Sequence, residues 1–236
     1  MALHITGDTA ADDLLTNNPL ALLVGMLLDQ QVAMETAFAG PLKIEQRTGA
    51  TDATTIASMD PDEFLAAFKQ SPSVHRFPGS MATRVQTLCR TLVDDWGGNA
   101  AALWTRPSTG SGTQPEGSGT QPEGSGTQPE GSGTQPEGSE THPEGSGTQP
   151  DGPTVLKRLK ALPGFGEQKA KIFLALLGKQ YGFTGEGWRE ASAPYGEDGS
   201  FRSVADIVSP ESLTKVREHK RAMKAAAAQS NATKER

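Results

Sequence analysis

The 236-residue sequence holds a single cysteine, Cys89. That excludes a disulfide within the chain and any iron–sulfur cluster that needs four thiolates. Long apolar runs are also missing. The longest, Leu20 to Leu28, falls well short of the roughly 20 residues that cross a bilayer. The first residues, Met-Ala-Leu-His-Ile-Thr-Gly-Asp, carry no basic start of a secretory signal. Together these absences predict a cytosolic protein with no membrane partner. Cys89 lies in an apolar helical pattern and reads as a small buried hydrophobe.

One stretch lacks everything a core needs. From Gly110 to Asp151 the unit Gly-Ser-Gly-Thr-Gln-Pro-Glu recurs with a period of seven, without one Val, Ile, Leu, Met or aromatic residue. Such a segment can bury nothing, and a solenoid would need apolar positions in each unit. Residues 109–152 are therefore expected to be a disordered acidic insertion between two folded parts, 1–108 and 153–236. They hold seven acidic residues and no Lys or Arg. Residues 1–108 hold seven basic and twelve acidic residues, and 153–236 fifteen basic and nine acidic. The net charge of −6 thus hides a basic C-terminal third.

What is present is helical punctuation. Residues 1–18 are polar and expected to be irregular. Asn18-Pro19 opens a strongly apolar helix expected to run to about Phe38, turning polar at Asp29-Gln30-Gln31. A short helix is expected from Leu42 to Arg47. Asp60-Pro61-Asp62-Glu63 is another helix start. The stripe Met81, Val85, Leu88, Leu92 predicts a helix closing at Gly97-Gly98. Residues 181–203 are glycine-rich and irregular, with Trp188, Tyr195 and Phe201 available to anchor the loop or to stack on a base. Ser209-Pro210 opens a last, basic helix carrying Lys215, Arg217, Lys220, Arg221 and Lys224.

The most informative stretch is Leu162-Pro163-Gly164-Phe165-Gly166-Glu167-Gln168-Lys169-Ala170. Helical patterns flank it, so it reads as two helices joined by a glycine turn. The free N–H groups that begin the second helix make an anion site that suits a phosphate. Lys157, Arg158, Lys160, Lys169 and Lys171 add positive charge around it. A plain αα-corner with a glycine cap has the same outline; the lysines favour DNA.

These residues resemble the helix-hairpin-helix (HhH-GPD) DNA glycosylases of base-excision repair. Asn18-Pro19-Leu20 through Leu28-Asp29-Gln30-Gln31 is similar to the early core helix of that superfamily, and Phe77-Pro78-Gly79 with the following helix fits its order. The sequence is most like a small actinobacterial-type group without an iron–sulfur cluster. The resemblance covers nearly everything but the repeat. It implies an all-α, two-lobed fold acting as a monomer on double-stranded DNA with a damaged or mismatched base in the cleft, and no cofactor. It implies phosphate binding by the backbone of Gly164, Phe165 and Gly166 with Lys169 beside them, often with a monovalent cation on the Leu162–Gly166 backbone. It also implies a flipped nucleotide whose gap is filled by Gln31, with Gln30 as the next candidate.

Two departures bear on the chemistry. Members that also cut the backbone carry a Schiff-base lysine two residues after the second hairpin glycine, where this chain has Gln168. Lyase activity is therefore not expected, and a glycosylase would be monofunctional. The family's catalytic aspartate does not align, because the loop after the second helix is long. The candidates are Asp206, in the semi-apolar stretch Ser203-Val204-Ala205-Asp206-Ile207, and as an alternative Asp198. Asp206 has a second reading as a local cap. A non-catalytic lesion-sensing protein is the alternative function.

Overall fold

The computed structural model describes residues 2–107 and 149–234, with side chains as far as residue 225. Most of the repeat lies outside these residues. Its last residues do not: the Gln149 Oε1 accepts from the Thr184 N–H at 3.2 Å, and the Asp151 carboxylate accepts from Thr154 N at 2.8 Å. Folded structure therefore resumes a few residues before the boundary expected at 153.

Among the described residues the chain forms twelve α-helices and no strand: α1 (Thr9–Asn17), α2 (Pro19–Leu28), α3 (Met34–Phe38), α4 (Gly40–Thr48), α5 (Ala53–Ser58), α6 (Pro61–Lys69), α7 (Pro78–Trp96), α8 (Ala102–Thr105), α9 (Gly152–Lys160), α10 (Glu167–Gln180), α11 (Trp188–Ala191) and α12 (Pro210–Lys234). A 3-10 turn, Val204–Asp206, precedes α12. The caps act as their residue types dictate. Asn18 Oδ1 accepts from Leu20 and Ala21 N–H, and Asp60 Oδ1 from Asp62 and Glu63 N–H.

Two expectations need correction. Residues 1–18 are not irregular throughout, because Asp8 caps α1 and the buried Asp12 carboxylate accepts from Ile5 N, Thr6 N and Thr6 Oγ1 at 2.9–3.1 Å. The apolar helix from Pro19 does not reach Phe38. It stops at Leu28, and the chain turns through 29–33 before α3. The turn is set by Gln31, whose φ of 56° lies in the left-handed region.

Nearly every residue of α2 is buried, as its all-round apolar character predicts. It packs against α1, α3, α4 and α7, while α9, α11 and the 3-10 turn surround α10. The core is continuous between these two groups. Trp104 of α8 meets Phe173 of α10 edge-on, with ring centroids 6.0 Å apart. The groups also meet where the α9–α10 turn rests on the end of α2. A Cβ on Gly164 would lie 2.5 Å from Leu27 Cδ1, and its φ of 80° is strained for any other residue type. Glycine here lets the hairpin touch the core helix.

Candidate nucleic-acid interface

The hairpin forms as the sequence predicts: α9 ends at Lys160, the chain turns through Pro163-Gly164, and α10 begins after Gly166. Gly164 and Gly166 are exposed. Gly166 offers no side-chain cap. The N–H groups of Gly164, Gly166, Glu167 and Gln168 have no acceptor among the described residues. They make an open anion site at the positive end of a 14-residue helix.

Phe165 contributes differently from what was expected. Its ring is buried against Phe173, with centroids 6.0 Å apart, and its N–H donates to the Leu162 carbonyl at 3.1 Å. It braces the turn and presents nothing to a ligand. The carbonyls of Pro163 and Gly164 accept no hydrogen bond among the described residues.

The positive charge around the turn is smaller than the sequence count suggests. Arg158 turns back to the carbonyls of Leu103 and Arg106 at 3.1 and 2.8 Å. Lys160 and Lys171 both pair with Glu167, at 3.6 and 3.0 Å. That carboxylate stands in the first turn of α10, held below its ordinary range by a hydrogen bond from Lys171 and by the Lys160 charge.

Lys169 points inward. Its Nζ donates to the carbonyls of Met26 and Leu27, both at 2.8 Å, and so caps α2. Burial pushes its pKa down to about 8; nearby Asp29 works against that and Arg84 adds to it. The expected phosphate contact from Lys169 is therefore corrected: its ammonium ties the hairpin to the α2 terminus.

The turn after α2 carries both glutamines. Gln31 is exposed at its tip. Gln30 is held: its Nε2 donates to Leu27 O at 2.7 Å, and its Oε1 accepts from Arg84 Nη1 at 2.9 Å. The Gln30 carbonyl accepts from the buried His75, Nε2 to O 2.9 Å, while His75 Nδ1 accepts the Phe77 N–H at 3.1 Å. That pair of bonds fixes the neutral tautomer with the proton on Nε2. Burial also holds the His75 pKa below its ordinary value, with the Arg76 and Lys169 charges adding to the effect. Phe77, exposed and under Arg76, extends the same face.

Behind the turn runs a groove whose lining includes Met26, Asp29, Lys169, Ile172, Tyr195 and Lys220. Tyr195 comes from the glycine-rich loop and its hydroxyl accepts from Gln168 Nε2 at 3.0 Å. Helix α12 closes the far side, with Lys220 4.0 Å from Asp29 and Arg217 paired with Glu35.

Asp206 is not in this groove. Its carboxylate pairs with Lys179 at 2.6 Å and accepts from Ser200 Oγ at 3.0 Å, Arg202 N at 2.8 Å and Ser203 N at 3.1 Å. The Ser203 bond is half of a capping box, and the other three donors engage the same carboxylate. The expectation of a poised catalytic carboxylate is corrected here: Asp206 is a local cap. Asp198 is exposed and paired with Arg189 at 2.6 Å. Trp188 anchors its loop, since a Cβ on Gly178 would lie 2.4 Å from the indole.

The sequence did not point to Arg84 and His75 as partners of Gln30, or to Asp29 and Lys220 as neighbours of each other. Only Asp29 carried a signal, as the first polar residue after an apolar helix. No curated protein and no solved structure matches the chain significantly. The family model described as HhH-GPD superfamily base excision DNA repair protein matches residues 24–224. That span runs from the core helix through the hairpin and into α12, so the chain belongs to the HhH-GPD superfamily of base excision DNA repair proteins.

Proposed function

We propose that this base excision repair protein is a monofunctional DNA N-glycosylase that extrudes a damaged base from duplex DNA and hydrolyses its bond to the sugar. The open hairpin beside the exposed Gln31 carries the reading. A duplex phosphate takes the free N–H groups of Gly164, Gly166 and the first turn of α10. A monovalent cation on the Pro163 and Gly164 carbonyls would add positive charge to that contact. Gln31, presented by its left-handed backbone, enters the space left by the extruded nucleotide, and Gln30 with Arg84 steadies the turn. The groove next to it receives the base, with the Tyr195 ring as a stacking face.

Gln168 occupies the place where backbone-cutting relatives carry their lysine, and Lys169 is committed to two carbonyls. Both support base release without strand cleavage. The chain works as a monomer in this reading.

The test is a panel of duplexes, each with one damaged or mismatched base, incubated with the protein and then split in two. Strand breaks after hot alkali, with intact strands in the untreated half, are the expected outcome. Breaks without alkali would show lyase chemistry. Steeply salt-dependent binding without breaks on any lesion would leave the alternative, a lesion-sensing DNA-binding protein, which the closed environment of Asp206 favours.

A further inference from the structure

With Asp206 engaged in a cap, the proposed hydrolysis lacks a carboxylate. We infer that Asp29, on the wall of the groove behind Gln31, faces the sugar of the extruded nucleotide and is the catalytic carboxylate. The inference rests on reading this groove as the site of the extruded nucleotide.

Among the described residues that line the groove, Asp29 is the only acidic one, and four others of the surrounding elements are committed. Asp206 accepts from four donors, Glu35 pairs with Arg217, Glu167 with two lysines and Asp198 with Arg189. Asp29 is different. Its side chain is 23% exposed, lines the groove and accepts no hydrogen bond among the described residues. Its neighbours are two ammonium groups: Lys220 at 4.0 Å, and Lys169, turned toward the carbonyls of α2. Neither bonds the carboxylate closely enough to occupy its oxygens.

Position gives the carboxylate a target. Asp29 is two residues before Gln31, so their Cα atoms are separated by at most about 7 Å. A nucleotide extruded past Gln31 stays bonded to its neighbours through both phosphates. Its sugar therefore remains close to the gap while its base swings into the groove. A carboxylate at the groove wall beside that gap faces the sugar rather than the base. Met26 and Ile172 give the groove lining an apolar part.

The step balances without a co-reactant beyond water. The bond between C1′ and the base nitrogen breaks, and its electron pair leaves with the base, which takes a proton from solvent. Positive charge develops on the sugar opposite the Asp29 carboxylate. A water oxygen then bonds C1′ and loses its proton to Asp29, which returns it to solvent.

The test compares binding to two duplexes. One carries a pyrrolidine in place of the sugar, cationic at neutral pH; the other carries a neutral tetrahydrofuran. The wild type should prefer the cationic duplex by at least about tenfold, as expected for a desolvated charge pair. Asp29→Asn should erase that preference. Lys220→Met, which removes the nearby ammonium but leaves Asp29, should keep or widen it. A purely structural Asp29 would behave otherwise: its removal would shift both affinities together and leave their ratio intact. An unchanged ratio in Asp29→Asn, or no preference in the wild type, overturns the assignment while DNA binding itself stands. Failure to bind any duplex overturns the groove reading and the assignment with it.

Discussion

Helix α10 carries a buried or half-buried lysine at each end, and the two ends have opposite fates. Lys179, near the C-terminus, meets a carboxylate, a serine and a loop carbonyl in a network that closes on itself. A cation suits that end of a helix. Lys169, near the N-terminus, stands at the end where a cation is disfavoured. Its partners are two carbonyls of another helix, and the groove opens beside it. At one end the lysine has a carboxylate, a hydroxyl and a carbonyl as partners and is scaffold. The other holds an ammonium at a cost, has bare N–H groups in its first turn, and is tied to the helix whose following turn carries the left-handed Gln31. Bare N–H groups are common to helix N-termini; what sets this end apart is the lysine that ties it to α2 beside an open groove.

The comparison breaks most easily at the closed end. Lys179→Ala leaves the Asp206 carboxylate buried and unpaired, and should cost about 3 kcal/mol of stability. Urea unfolding measures the loss, and duplex affinity of the folded protein should not change. Gly164→Ala comes next, at about 2 kcal/mol, because the new Cβ meets Leu27 in a strained backbone conformation. Here affinity should fall with stability. Gly166→Ala has open space around it and an ordinary φ, so its stability cost should be confined to a poorer N-cap, below about 1 kcal/mol, and its larger effect should fall on duplex binding.

Lys169→Met should cost about 1 kcal/mol, the loss of two carbonyl partners partly offset by removing a buried charge. Its signature is in the pH dependence. A lysine whose folded pKa is lowered binds fewer protons folded than unfolded between about pH 8 and its ordinary value of 10.5. Wild-type stability should therefore gain from this group as pH rises through that window, and the variant should lose the gain. Gln31→Gly relieves a left-handed residue and should stabilise by about 1 kcal/mol. Duplex binding should weaken in the same variant, so stability and affinity move in opposite directions.

The smallest effect concerns His75. Its lowered pKa means the unfolded chain takes up a proton first, so stability should fall as pH drops below the ordinary histidine value of about 6.5. Chemical denaturation at pH 7 and pH 5 measures it. His75→Gln should flatten the difference.

The sequence made the caps, the hairpin and the burial of α2 legible, because each depends on residues within a few positions of one another. The Cys89 thiol, pushed up to about 12 by burial, is the inert core residue its surroundings suggested. The site was legible only in outline. Five basic residues near the hairpin promised a phosphate cradle, yet Arg158 and Lys169 turn inward to carbonyls that belong to distant parts of the chain. Asp206 carried its alternative in plain view, since Ser203 three residues earlier completes a capping box. Nothing local to Tyr195 told of Gln168, and nothing local to Gln30 told of Arg84.

Pro107 and Gln149 line one depression on the surface, where Arg158 and Thr184 hold the chain on either side of it. The chain therefore leaves and re-enters the fold at one place. The contacts that hold Pro107 and Gln149 are made within the described residues, so they set no length for the sequence between them.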